Sequence, residues 1–261
     1  MMRYGLIGEK LGHSFSKIIH EKLADYTYDL IPLSLEELDV FMREKEFSAI
    51  NVTIPYKETV IPYLDKVDPK AAKMGAVNTV VQRNGKLFGY NTDYFGFRYM
   101  LEHNHIQIAG KKVLVLGRGG ASKAVIAVLE DMGAAEIHTI YYKIAEDSIS
   151  YETCYALHTD AQVIVNTTPV GMYPNSGHTP IDLTPFTKLE AVADAVYNPL
   201  RTRLVLDAEE KGCQAIGGLE MLVGQAKYAV EIFLDQSLPE DSINVVYKDL
   251  MAERRNLVPI G

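Results

Sequence analysis

Val113-Leu114-Val115-Leu116-Gly117-Arg118-Gly119-Gly120-Ala121-Ser122-Lys123-Ala124 decides how this chain is read. Four apolar residues run into a glycine cluster, and Val125, Ile126, Val128 and Leu129 then continue at helical spacing, so the stretch reads as strand, tight turn, helix. A helix that starts at such a turn presents unpaired N–H groups and the positive end of its dipole, which hold a phosphate if nothing bulky intervenes. Gly117 and Gly119 permit that approach. The spacing is G-x-G-x-x with Ser122 where the dinucleotide-binding fingerprint has its third glycine or alanine, a near match. A turn that binds nothing is the plain alternative.

Beyond the turn, Glu136 to Tyr142 reads as the second strand of the same sheet, reached by a right-handed crossover. In a dinucleotide site the end of this strand reads the ribose: a carboxylate suits a free 2′-hydroxyl, a cation a 2′-phosphate. The strand ends in Tyr141-Tyr142-Lys143, with no acid and one cation. Ile144 to Asp160 is short for a crossover and only faintly helical in pattern. Gln162 to Asn166 and Ala191 to Val196 read as buried strands, Thr202 to Lys211 as a helix closed by Gly212, and Gln214 to Ile216 as a brief strand before Gly217-Gly218. Leu219, Met221, Leu222, Gln225, Ala226, Tyr228, Ala229, Ile232 and Phe233 then describe a long helix with a wide apolar face. Helices alternating with non-alternating apolar strands from Lys112 to Gly218 are the pattern of a parallel sheet covered on both faces.

A separate α/β unit precedes this one. Tyr4 to Ile7 reads as a strand and the spacing from Lys17 as a helix, with Ser14 or Ser16 as its N-cap or, alternatively, as hydroxyls that hold a ligand carboxylate. Tyr28 to Leu33 is a second strand, and Ser34-Leu35-Glu36-Glu37 is a capping box for a helix through Lys45. The run Ala49 to Ile54 reads as a strand that ends at Pro55-Tyr56-Lys57-Glu58. Alternation puts Asn51 and Thr53 on one face, and Lys57 follows them; a solvated lysine is the plain reading. Asp68-Pro69 starts a short helix, and Ala76 to Val81, Asn84-Gly85 and Lys86 to Tyr90 form a hairpin signal. Thr92 is a candidate cap for a helix with Asp93 in its first turn, where an acid suits the dipole. His103 to Gly110 reads as a linker, and Val245, Val246, Leu250 and Met251 as a last helix able to pack back on the first unit.

With 261 residues the chain can hold two domains. A formal net charge of -8 and no Lys/Arg run argue against a nucleic-acid binder. Cys154 and Cys213 are far apart and read as buried structural thiols, with neither a disulfide framework nor a metal site suggested. The first ten residues lack a signal-peptide core and no window approaches a membrane span, so a cytoplasmic location without membrane partners is expected.

Eight stretches in register resemble the shikimate dehydrogenase family over nearly the whole chain: Leu11 to Lys17, Asn51 to Lys57, Gly75 to Thr79, Gly89 to Asp93, the glycine turn, Asn166 to Met172, Asp194 to Pro199, and Gly218 to Gln225. The resemblance implies a two-domain α/β protein. Residues 1–92 with 226–261 would form the substrate-binding and catalytic domain, to which the C-terminal helices return, and residues 93–225 a Rossmann-type NADP-binding domain. It implies reversible reduction of 3-dehydroshikimate to shikimate in aromatic amino-acid synthesis, by a monomer or homodimer. Carried over residue by residue, Lys57 and Asp93 would be the catalytic pair. Ser14 and Ser16 would hold the substrate carboxylate, and Thr53, Asn78 and Gln225 its ring substituents. Asn51 would shape the site and Tyr197 would lie near the substrate. Gly117, Arg118, Gly119, Gly120, Ala121, Ser122, Lys143, Thr167 and Gly218 would bind the cofactor.

Two departures stand out. Where the family usually has Asn-Arg-Thr, this chain has Tyr141-Tyr142-Lys143, so Lys143 would meet a 2′-phosphate as a point charge and NAD is admitted beside NADP. The crossover that follows is also shortened. An NAD-preferring quinate/shikimate dehydrogenase and a non-catalytic sensing module are the competing readings. Retention of both Lys57 and Asp93 argues against the second, because binding alone needs no proton-transfer group.

Overall fold

A computed structural model describes residues 3–12, 14–143 and 146–255; His13 of the first family stretch and Ile144 and Ala145 of the short crossover lie outside the described residues. The chain forms two compact units, Met1–Gly96 with Leu222–Gly261, and Phe97–Met221. These boundaries differ by four residues on each side from those expected at 92 and 226, and Asp93 and Gln225 fall in the first unit.

In the first unit the elements are β1 (Tyr4–Gly8), α1 (Ser16–Leu23), β2 (Tyr28–Pro32), α2 (Leu35–Glu44), β3 (Ala49–Val52), β4 (Lys66–Val67), α3 (Pro69–Met74), β5 (Thr79–Arg83), β6 (Lys86–Tyr90) and the start of α4 (Asp93–His103). The sheet order is β2-β1-β3-β5-β6-β4, parallel except where β5 runs against both β3 and β6. Side-chain alternation separates two cores. Ile7, Ile50, Val52 and Val80 pack with Leu38 and Met42 on one face, while Tyr4, Leu6, Ala49 and Val81 pack with Ala229 and Phe233 on the other.

Local chemistry accounts for most of the boundaries. The capping box closes as expected, with Glu37 N–H donating to Ser34 Oγ (3.3 Å) and Ser34 N–H to Glu37 Oε2 (2.7 Å). Asn84 (φ 53°) and Gly85 (φ 77°) supply the two left-handed residues of the β5–β6 hairpin. Other expectations need correction. Neither serine is the N-cap of α1: Phe15 is, without a side-chain bond, and Ser14 Oγ instead accepts from Ser16 N–H (3.2 Å). The third strand stops at Val52 rather than Ile54, because Pro55 has no N–H to extend a ladder and the chain turns, Tyr56 N–H donating to Thr53 O (2.9 Å). The hairpin's first strand starts at Thr79, not Ala76.

In the second unit follow β7 (Lys112–Leu116), α5 (Gly120–Asp131), β8 (Glu136–Ile140), α6 (Tyr151–Leu157), β9 (Val163–Asn166), β10 (Ala191–Asp194), α7 (Arg203–Glu210) and β11 (Gln214–Ile216). The helix α8 (Leu219–Leu234) continues from here into the first unit, which α9 (Ser242–Arg255) completes. The sheet is wholly parallel in the order β8-β7-β9-β10-β11, and Ile149 adds a single parallel bridge outside β8 at Ile140. Counting that bridge as the third strand gives the dinucleotide-fold order 3-2-1-4-5-6, its outer strand shrunk to one residue pair. This is the physical content of the short crossover.

Strand β8 accordingly ends at Ile140, not Tyr142, and Tyr141 N–H turns to donate to Ile149 O (3.0 Å). The faint helical pattern resolves into α6, capped by Ser150 Oγ on Thr153 N–H (3.1 Å). Cys154 is buried, which pushes its thiol up to about 11, whereas Cys213 is only partly buried. Among the described residues no helix is long and apolar enough to cross a membrane.

Candidate active site

The first unit's site grows from polar residues on the sheet face that carries Ala229 and Phe233. Asn51 and Thr79 are direct partners in the β3–β5 register. Asn51 Nδ2 donates to Thr79 Oγ1 (3.1 Å) and to Asn78 O (3.2 Å), while its Oδ1 accepts from Tyr28 O–H (2.7 Å). The amide of Asn51 is therefore spent on protein partners, which makes it a positioning residue for the next two.

Asn78 Oδ1 accepts from Thr92 N–H (2.7 Å), Thr92 Oγ1 (3.1 Å) and Thr79 Oγ1 (2.9 Å). That fixes the carboxamide orientation and leaves its Nδ2 to donate elsewhere. Thr92 Oγ1 also reaches Gln225 Oε1 (3.3 Å), and Gln225 Nε2 donates one hydrogen to Leu222 O (3.1 Å), which leaves its second. Helices α4 and α8 come this close through glycines: a Cβ on Gly224 would lie 3.1 Å from Gly96 Cα. Thr92 caps α4 only through its carbonyl, which accepts from Gly96 N–H (3.0 Å), and Asn91 Oδ1 accepts the Asp93 N–H (3.1 Å). Sequence reading missed Tyr28, Thr79 and Asn91. The available signal was polar residues inside otherwise buried strands.

Lys57 follows the buried Tyr56, whose hydroxyl donates to Leu33 O (2.6 Å), and its own carbonyl accepts from Val77 N–H (2.8 Å). Its Nζ donates to Asp93 Oδ2 at 2.5 Å, with the side chains 13% and 10% exposed. So paired, Lys57 is not the solvated lysine of the plain reading, and two of its ammonium protons remain for other acceptors. Ser14 and Ser16 form a second cluster, in which Ser14 Oγ donates to Ser16 Oγ (3.1 Å) and Ser14 N–H donates to Leu11 O (3.0 Å). Thr53 and Leu11 both crowd Gly8, where a Cβ would stand 2.6 Å from Thr53 Cγ2 and 2.9 Å from Leu11 Cδ2.

In the second unit Gly117 has φ 103°, and a Cβ there would lie 2.8 Å from Thr167 Oγ1, so the turns after β7 and β9 meet only because it is glycine. This is the topological switch point, where open parallel sheets bind their ligands. Thr167 Oγ1 donates to Leu116 O (2.7 Å), and Ser122 Oγ donates back to Gly119 O (2.7 Å), so both hydroxyls fix the turn. Gly119 caps α5 without a side-chain bond, and a Cβ on it would meet nothing within 4 Å. That open cradle over an uncapped helix start, flanked by Gly120 and Ala121, fits a dinucleotide pyrophosphate.

At the end of β8 the rings of Tyr141 and Tyr142 lie 4.6 Å apart, and Lys143 Nζ lies 5.3 Å from the Tyr142 ring centroid. The Tyr141 hydroxyl bonded to Tyr142 holds the Tyr142 phenol below its ordinary value, and Lys143 acts in the same direction. Gly218 sits against the end of β10, its N–H donating to Val196 O (3.0 Å); a Cβ on it would lie 2.2 Å from Ala195 O. Tyr197 is half-buried and belongs to this unit.

A six-place parallel order with an open glycine cradle, and an ammonium held on a shielded carboxylate, define a dinucleotide-dependent oxidoreductase. The family model for the shikimate dehydrogenase substrate binding domain matches residues 6–80. The chain is 39% identical over 252 residues to the shikimate dehydrogenase (NADP(+)) of Clostridium beijerinckii, covering 90% of this chain and 93% of that one. Shikimate dehydrogenase 1 from Peptoclostridium difficile superposes with a TM-score of 0.89 at 36% identity, over 97% of this chain and 99% of that one. Shikimate 5-dehydrogenase from Thermus thermophilus, in complex with NADP(H) and shikimate, does so with a TM-score of 0.85 at 30% identity, over 95% and 99%. The chain belongs to the shikimate dehydrogenase family.

Proposed function

We propose that this protein is an NADP-dependent oxidoreductase that reversibly reduces 3-dehydroshikimate to shikimate, on the route to chorismate and the aromatic amino acids. The observation that carries the reading is the Lys57–Asp93 pair beside two carboxamides, Asn78 and Gln225, whose oxygens are already occupied and whose N–H groups are available.

The first unit is the substrate and catalytic domain and the second the cofactor-binding domain. Ser14 and Ser16 hold the substrate carboxylate, and Thr53, Asn78 and Gln225 donate to its ring oxygens. The bound nicotinamide supplies or takes the hydride. Reduction of the ketone places negative charge on its oxygen; Lys57 Nζ–H stabilises that charge and transfers a proton to it, giving the hydroxyl. In the reverse direction the neutral amine of Lys57 receives the hydroxyl proton and becomes the ammonium. Asp93 holds the lysine in position through the 2.5 Å bond and keeps the positive charge locally compensated. Gly117 to Ser122 cradle the pyrophosphate, Gly218 lies near the nicotinamide, Tyr197 lies near the substrate, and Arg118 and Lys143 face the 2′ position. A cytoplasmic monomer or homodimer completes the proposal.

The test is absorbance at 340 nm with shikimate and NADP+ or NAD+, on wild type and Lys57→Ala. Turnover by wild type and its loss in the variant are expected; no turnover with either cofactor would overturn the reading.

A further inference from the structure

The end of the second Rossmann strand holds no acid in sequence, yet the fold brings one there. Asp147 Oδ1 accepts from Arg118 Nε at 2.5 Å, in the glycine turn itself. It arrives because the reduced third strand folds back on β8: Ile149 N–H donates to Thr139 O (2.9 Å) and Tyr141 N–H to Ile149 O (3.0 Å), with Asp147 two residues upstream. The contact with Arg118, in the turn that follows β7, puts the carboxylate at the carboxyl end of the sheet, where a dinucleotide fold binds its ligand. The Arg118 guanidinium in turn holds the Asp147 carboxyl below the usual carboxylate range. Both side chains are solvent-accessible, 46% and 63% exposed, so a ligand can reach either.

The consequences for the two cofactors differ in sign. A 2′-phosphate seeks Arg118 as a fork of donors, but Asp147 already occupies one arm and repels the phosphate. A free 2′-hydroxyl, in contrast, finds an acceptor in Asp147. Lys123, which also acts on the Asp147 carboxylate, and Lys143, placed over the Tyr142 ring, are further cations at this end of the sheet.

We infer that Asp147 is a specificity-determining residue for the cofactor ribose, which accepts the 2′-hydroxyl of NAD(H) and makes binding of NADP(H) depend on opening the Arg118–Asp147 pair. The inference rests on the reading of the second unit as the cofactor domain. Removing the carboxylate selectively improves NADP(H), and only while Arg118 is present.

Isothermal titration of NADP+ and of NAD+ into wild type, Asp147→Asn, Arg118→Ala and the double variant, without shikimate, tests this directly. Asp147→Asn is expected to tighten NADP+ about fivefold and to weaken NAD+ about threefold, and an unchanged NAD+ affinity overturns the contact with the 2′-hydroxyl. Arg118→Ala should weaken NADP+ and cancel the gain in the double variant, which is the coupling a merely structural role would not produce. A ratio of NADP+ to NAD+ affinity within twofold of wild type in Asp147→Asn overturns the inference. No binding of either dinucleotide by wild type overturns the cofactor reading of the second unit itself, whatever the substrate reading of the first.

Discussion

Lys57 Nζ and Asp93 Oδ2 stand 2.5 Å apart, although 36 residues separate them in sequence and β5 and β6 intervene. A donor so placed contributes about 10²–10⁴ in rate when it transfers the proton in the transition state. Asp93→Asn keeps the shape and removes the charge, so kcat is expected to fall at least tenfold with KM for shikimate within about threefold. Lys57→Ala and Asp93→Ala should be strongly non-additive in steady-state kinetics, because the two act as one unit.

Thr92 serves Asn78 and Gln225 with one hydroxyl. Thr92→Val preserves volume and takes the donor from Gln225 Oε1, while Asn78 Oδ1 keeps Thr92 N–H and Thr79 Oγ1, at about 1–3 kcal/mol. KM for shikimate should rise about tenfold while kcat changes less, as expected for groups that bind ground and transition states alike. An unchanged KM would remove Thr92 from the binding network.

Gly218→Ala would drive a Cβ against backbone, 2.2 Å from Ala195 O, with no side chain able to yield. A cost of about 1–3 kcal/mol follows, or roughly 2–10 °C in Tm for a chain of this size. Calorimetry of the variant, paired with NADP+ titration, should show both a lower Tm and weaker binding.

Asp194 and His20 give opposite pH dependences. Burial pushes the Asp194 carboxyl up to about 6 from 3.8, despite donors from Thr202, Val196 and Asn166. The native state holds this proton longer than the unfolded chain, so the group's contribution falls by about 3 kcal/mol as pH rises from 3.8 to 6 and stays low above. The stability of Asp194→Asn relative to wild type should therefore rise between pH 4 and 7 in urea unfolding. Parallel curves would contradict it. Burial holds the His20 imidazole down at about 3 against 6.5 when unfolded, so its contribution is full above 6.5 and is lost as pH falls through that window. His20→Phe should flatten that acid limb.

What could be read from sequence was set by periodicity and backbone chemistry. The glycine turn, the capping box at Ser34 and the Asn84-Gly85 hairpin were legible because each is a local rule, satisfied within a few residues. The family stretches pointed to Lys57 and Asp93, but their contact is tertiary, and so are the bonds that spend the Asn51 amide and orient Asn78. Asp147 carries no signal in the sequence because no local pattern connects it to Arg118, 29 residues away, and only the reduction of the third strand to Ile149 brings the two together. The two-residue strand Lys66–Val67 is too short to carry a period at all.

In the proposed reaction Lys57 moves the proton during the reversible reduction of 3-dehydroshikimate. The most direct test of that role is the initial rate of NADP+ reduction at 340 nm with saturating shikimate, on wild type and Lys57→Ala. Turnover in wild type with kcat at least a hundredfold lower in the variant is the expected result. Equal kcat in the two would contradict the account.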